Sequence, residues 1–151
     1  MLLLTLAAMF RGGHRPRDYG VFFAKSHVQA GIGLALGGGI ILISMLFGKT
    51  PTLPTPLVYM VCSQLLVVAS EEMFWRGFLL TELGNAFGKH DVAVPLPALL
   101  FAISHFPLTL SIGQVIFTFV VGVLFAVFRT EFRGTVGISA LVLAHWLSNL
   151  F

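Results

Sequence analysis

Seven polar side chains stand in otherwise apolar stretches of this sequence: Glu71, Glu72 and Arg76, then His105, then His145, Ser148 and Asn149. Glu72 and Arg76 are four residues apart, so on a helix they share a face and can pair. Glu71 lies about 100° around the same helix, given 3.6 residues per turn. Glu72 with Arg76 therefore reads as a structural ion pair, and Glu71 as a carboxylate left free to work. The alternative is that both glutamates share Arg76 as a buried ionic staple. His145 and Asn149 also share a face, as do Phe101 and His105. A free carboxylate and two imidazoles suit acid–base activation of water, with other donors stabilising an oxyanion. Ser104, Ser111, Ser139 and Ser148 lack a matched base arrangement for a serine triad. Glu71, His105 and His145 also match the ligand set of a catalytic zinc, which stays open as an alternative. Against it, the His-Glu-x-x-His spacing on one helix is absent and asparagine is a poor zinc ligand.

The elements that carry these residues are apolar. The chain has 151 residues, 57% of them hydrophobic and only 10% charged, and its mean hydropathy is +0.95. Soluble domains carry about 25% charged residues, so the solvent of this chain is lipid. Hydropathy predicts an all-α fold, a polytopic bundle of about five spanning helices: Ser26 to Phe47, Leu57 to Leu80, Val92 to Phe106, Ser111 to Phe128 and Thr135 to Phe151. Gly48 to Pro56, with Pro51, Pro54 and Pro56, reads as a break, Glu82 to Asp91 as a polar loop and Arg129 to Gly134 as a short charged loop. Pro107 reads as the stop of its helix. At 1.5 Å per residue, Glu71, His105 and His145 all fall about 12–18 Å from the same side of a core about 30 Å thick. Three helices thus deliver their polar groups to similar depth.

Arg11, Arg15, Arg17 and Lys25, then Lys89 with Arg76 nearby, then Arg129 and Arg133 occupy alternate loops. The opposite loops hold only Lys49. The positive-inside rule then puts residues 129–134 in the cytoplasm and the C-terminus outside. Met1 to Phe10 is too short to cross and reads as re-entrant, interfacial or the tail of a longer helix. The chain divides into residues 1–25, an apolar segment and basic cytoplasmic loop, and residues 26–151, the transmembrane domain. Gly33 and Gly37 form a small-xxx-small pair that predicts close packing on another helix, with a homodimer face as the alternative. Cys62, the one cysteine, reads as a small buried hydrophobe. No basic patch with interleaved aromatics suggests nucleic acid.

Three motifs bring these residues into one pattern: Glu71-Glu72-Met73-Phe74-Trp75-Arg76, Phe101-Ala102-Ile103-Ser104-His105 and His145-Trp146-Leu147-Ser148-Asn149. In order and on separate predicted helices, they resemble the Glu-Glu-x-x-x-Arg, Phe-x-x-x-His and His-x-x-x-Asn motifs of the CPBP family of intramembrane proteases. That family includes the type II CAAX prenyl endopeptidases. The resemblance covers roughly Leu57 to Phe151 and implies a CAAX-type intramembrane endopeptidase, of a family commonly called metalloendopeptidases. It implies catalytic roles for Glu71, His105, His145 and Asn149. Glu71, assisted by His105, is expected to take the proton of water; His145 and Asn149 are expected to polarise the scissile carbonyl and hold the oxyanion. No cofactor is expected, with zinc as the alternative. The expected partners are membrane lipids and a membrane-tethered peptide or protein, prenylated or not. The expected location is a membrane crossed several times, the plasma membrane of a prokaryote. A catalytically silent membrane scaffold or bacteriocin-immunity-type protein is the competing expectation. A transporter would show paired repeats, which are absent.

Overall fold

The computed structural model describes residues 2–22, 24–46, 57–88 and 90–149, and these are all-helical, with no strand among them. α1 spans Leu2–Arg11, α2 Ser26–Leu46 and α3 Leu57–Glu72. A π-helical stretch, Met73–Leu79, continues α3 directly into α4, Leu80–Phe87. α5, His90–Ala93, leads into α6, Pro95–Thr109; α7 spans Ile112–Glu131 and α8 Ile138–Asn149. The helices Ser26–Leu46, Asp91–Leu108 and Ile112–Glu131 are long and apolar enough to cross a membrane. Together with the interrupted helix Leu57–Phe87 and the shorter α8, this agrees roughly with the five spans read from hydropathy.

Several boundaries differ from expectation. Glu82 lies inside α4, which runs on to Phe87 and ends where Gly88 takes a left-handed conformation (φ 62°) and donates to Gly84 O. Arg129 belongs to α7, not to a loop, and is buried. Pro107 does not stop α6. It sits in the last turn, where only one ladder bond is forfeited, and the helix ends instead at Leu110 in a left-handed conformation. Ser111 caps α7 by accepting the N–H of Gln114. Cys62 is exposed rather than buried, on an outer surface that is itself apolar. The expected break at Gly48 to Pro56, Lys49, Lys89 and the helix ends at Phe47 and Phe151 lie outside the described residues.

The bundle is held by two close helix pairs, α2 against α8 and α6 against α7, with α3 also packed on α8. Ile40, Phe125, Val136, Leu141 and Ala144 form the main apolar core, and Leu80, Ala93, Val94 and Ala126 a second one. Large apolar side chains such as Leu42, Leu66, Ile103, Ile116 and Val120 face outward, as lipid solvation requires. The indole N–H of Trp146 donates to Val61 O at 3.1 Å, tying α8 to α3. The N-terminal segment joins the bundle rather than standing apart: Met9 is buried, Tyr19 donates to Glu82 at 2.8 Å and Ile138 N–H donates to Gly20 O. Two stretches expected as basic loops, 11–25 and 129–134, therefore meet at one end of the molecule, where Arg129 donates to Asp18 O.

The expected glycine pair is used within the chain. A Cβ on Gly33 would lie 2.8 Å from Ala140 O, and one on Gly37 would lie 3.0 Å from Ala144 O. The face carrying this pair is thus packed on α8 within the chain. Gly38 and Gly39, on other faces of α2, have nothing within 4 Å of such a Cβ. Gly33→Ala and Gly37→Ala should each destabilise the protein by about 1–3 kcal/mol through overpacking. Gly38→Ala should stabilise it by about 0.5–1 kcal/mol by removing a flexible residue from a helix. Thermal unfolding in detergent checks both signs; equal effects at the two kinds of site would contradict this packing.

Candidate active site

The site is assembled from four helices. α3 supplies Glu71 and Glu72, and the π-helical stretch supplies Arg76. α6 supplies Phe101 and His105, α8 supplies His145 and Asn149, and α7 closes one side with Gln114, Thr118 and Phe125. π-helical stretches often occur at functional sites. Here one begins directly after Glu72 and positions Arg76 and Gly77, both buried. Gly77 lets α1 and the N-terminal loop approach, since a Cβ there would lie 2.9 Å from Met9 and 3.2 Å from Tyr19 O.

Glu72 is fully buried. Its Oε1 accepts from Arg76 Nη1 at 3.0 Å and from His145 Nδ1 at 2.8 Å. The spacing argument anticipated the first bond; the second joins residues 73 positions apart and is set by how α8 docks on α3. The Arg76 guanidinium lies over the Phe101 ring, 4.3 Å from its centroid, and 5.6 Å from that of Phe125. A cation over an aromatic face in a desolvated place is favourable by about 2 kcal/mol. Gly122 on α7 makes room for it, because a Cβ there would lie 3.2 Å from Nη2. The Phe101 ring also meets both histidines edge-on, His105 at 4.5 Å and His145 at 5.9 Å between centroids. Phe101 is thus the shared wall of the site.

The two histidines are oriented by what they bond. His105 Nδ1 lies 2.8 Å from Phe101 O, and a carbonyl can only accept, so Nδ1 carries the proton. In the neutral ring Nε2 is then the proton acceptor. His145 likewise donates from Nδ1, here to the Glu72 carboxylate. Its Nε2 lies 3.9 Å from Glu71 Oε2, too far for a direct hydrogen bond. Glu71 has a side chain 20% exposed, against 0% for Glu72.

A cavity of about 80 Å³ is lined by Arg76, His105, Gln114, Thr118, His145 and Asn149 among others. The structure therefore brings His105, His145 and Asn149 to one cavity. Glu71 is not among its lining residues and approaches His145 from beside it. The sequence reading placed Phe101 beside His105 but missed the bond from Glu72 to His145, the wall Phe125, and the pair Gln114 and Thr118. That last pair had a signal, since the two polar residues are four apart on one helix face and interact at 3.4 Å. The serines are engaged otherwise: Ser104 donates to Phe101 O, Ser148 to His145 O and Ser139 to Gln29 Oε1. Among the described residues no three His, Cys, Asp or Glu side chains are grouped closely enough to hold a metal ion.

A family model described as type II CAAX prenyl endopeptidase Rce1-like matches residues 52–151. That range includes all three motifs. No curated protein and no solved structure matches the chain.

Removing one partner of a buried ion pair leaves the other charge uncompensated and costs about 3–5 kcal/mol. Glu72→Ala and Arg76→Ala should each lower stability by that amount in detergent. The double variant should lose less than the sum of the two, because groups in one network couple by about 0.5–3 kcal/mol. Additive losses in a double-mutant cycle of thermal unfolding would show that the pair is not coupled.

Proposed function

The chain belongs to the Rce1-like family of type II CAAX prenyl endopeptidases, and on that footing we propose that it cleaves membrane-tethered peptides with a water activated by Glu71 and His105. The family and the membrane-length helices make it an integral membrane protein of protease type. The observation that supports this mechanism best is the division of labour between the two carboxylates. Glu72 is buried and engaged by Arg76 and His145, whereas Glu71 is partly exposed beside His145 Nε2. A helix staple requires only the first of these; a base requires the second.

In the proposed reaction a water, oriented by His105 Nε2, attacks the scissile carbonyl as Glu71 takes its proton; Glu71 then gives that proton to the amine nitrogen as the C–N bond breaks, leaving a carboxyl product and a free amine. His145, held at Nδ1 by Glu72, turns its ring to the carbonyl oxygen and polarises it. Asn149 provides the second donor through its side-chain amide. An oxyanion donor of this kind contributes about 2.7–4 kcal/mol to the rate-limiting barrier. Glu72 positions His145 and touches no reacting atom. No metal is needed for any of these steps.

What adjoins the cavity supports a substrate with an apolar part. An apolar groove of about 630 Å³ runs between α2 and α7, lined by Ile43, Ile116, Val120 and Leu124, and it shares Ile40, Gln114, Phe117 and Val121 with the cavity. We propose that a lipid chain or an apolar segment of the substrate lies there, with the peptide bond at the cavity.

Two tests bear on this reading. Glu71→Gln should lower turnover of a membrane peptide by about 10²–10⁴-fold, the usual contribution of a general base. The variant should unfold at or above the temperature of the unsubstituted protein, because an amide is less costly to bury than a carboxylate. His105→Ala should lose comparable activity, and adding it to Glu71→Gln should change little, since residues acting as a unit are non-additive. Normal turnover by a folded Glu71→Gln protein would leave the silent-scaffold reading in front. The second test uses chelators. Activity toward farnesylated and unmodified peptides should persist in EDTA and phenanthroline, and loss restored by added zinc would overturn the metal-free mechanism.

A further inference from the structure

A second polar cavity lies away from the site, at the end of the bundle where the basic stretches meet. It measures about 400 Å³, within the range of about 300–1,000 Å³ usual for small-molecule sites. His14, Arg17, Thr81, Asn85, Arg129 and Arg133 line it, with Asp18 as its one carboxylate. Along α7, Arg129 is eleven residues beyond Thr118 of the active-site cavity, or about 16 Å at 1.5 Å per residue. Nothing in the proposed proteolysis uses these arginines.

The charge here is unbalanced. Arginine stays protonated at any ordinary pH, so three guanidiniums face one carboxylate. Asp18 is turned to the backbone: its Oδ2 accepts Arg15 N–H at 2.9 Å, while its carbonyl accepts from Arg129 Nη2 at 2.9 Å. Among the described residues the ion pairs are those of Glu72 with Arg76 and of His145 with the two glutamates, and none involves Arg17, Arg129 or Arg133. Arg129 is 5% exposed, and its Nε is buried without a hydrogen-bond partner. The fold accommodates that side chain closely. Gly20, at φ 84°, lies against the guanidinium, and a Cβ there would overlap it. One arginine is therefore anchored and two exposed ones are gathered around it, with Thr81 and Asn85 as neutral hydrogen-bonding groups.

We propose that this cavity binds a phosphate-bearing anion, carried by a lipid headgroup or free in solution. Guanidiniums match phosphate oxygens in a two-pronged geometry and bind them with charge-assisted hydrogen bonds. The cavity lies at the end of α7, a helix of membrane-crossing length, which is the level of lipid headgroups. A bound anion would offset the repulsion among the three cations and tie the N-terminal loop, α4 and the end of α7 together.

The test titrates two probes separately into detergent-solubilised protein: short-chain phosphatidylglycerol, and inorganic phosphate against chloride at matched ionic strength. The readout is the thermal unfolding midpoint. A saturable rise with phosphatidylglycerol alone identifies the headgroup as the source. A rise with phosphate alone, or with both, identifies the phosphate group itself. One charge at an anionic surface is worth about 1 kcal/mol, a factor of about five, so Arg17→Gln with Arg133→Gln should weaken binding by about 30-fold. Each single variant should cost about fivefold and serves if the double variant does not accumulate. Arg11→Gln with Arg15→Gln, exposed residues outside the cavity, should leave the affinity unchanged. No saturable shift with either probe, or an equal loss in the Arg11 and Arg15 variant, would overturn the proposal, the latter by showing that diffuse surface charge is responsible.

Discussion

The carboxylate of Glu72 is the point on which the rest of the structure depends. A charged group buried in an apolar bundle is tolerable only when paired and hydrogen-bonded. Glu72 meets that condition through Oε1, with one partner from its own helix and one from α8, while Oε2 is buried without a hydrogen-bond partner. The constraint therefore acts twice. It compels Arg76 to turn inward, where the rings of Phe101 and Phe125 and the gap at Gly122 receive it. It also compels α8 to dock with His145 facing α3, its Nδ1 on Glu72 and its Nε2 toward Glu71.

The remaining packing can be understood as support for that docking. α8 is short, and α2 lies along it at glycine-limited distance, so two backbones enclose what long side chains would otherwise hold apart. Association of helices in lipid relies on such close approach, because burial of apolar surface offers no gain where the solvent is itself apolar. Near the start of α8 a different set of contacts applies. Gln29 donates to Phe22 O and Ala24 O and accepts from Ser139, while Gly20 O accepts Ile138 N–H. The N-terminal loop thus fastens both α2 and α8, and through Arg129 it fastens α7. Stability and the geometry of the polar cavity are coupled through one helix.

The arrangement also explains why two adjacent carboxylates can differ so much. Neighbours in sequence point about 100° apart on a helix, so Glu72 enters the interior while Glu71 stays near its margin. Glu71 thereby lies beside a histidine that Glu72 already holds, 3.9 Å from its Nε2.

Much was legible in the sequence because lipid imposes simple rules. A backbone in hydrocarbon must be helical or closed into a β-barrel, and unbroken apolar runs of spanning length, without a barrel strand's alternation, determined an all-α bundle, while polar residues in apolar stretches marked the candidate site. Four-residue spacing determined the pair Glu72 and Arg76, and the small-xxx-small pattern determined that α2 would pack through Gly33 and Gly37. Local pattern could not determine how far helices run past weak stop signals, as at Pro107 and Glu82, because termination depends on which end groups find partners. Nor could it show that Glu72 serves His145, that Phe101 walls both histidines, or that Arg17, Arg129 and Arg133 share a cavity. Those facts rest on contacts between residues far apart in the chain. Periodicity states which face of a helix a residue occupies, but only the docking of one helix on another decides what that face meets.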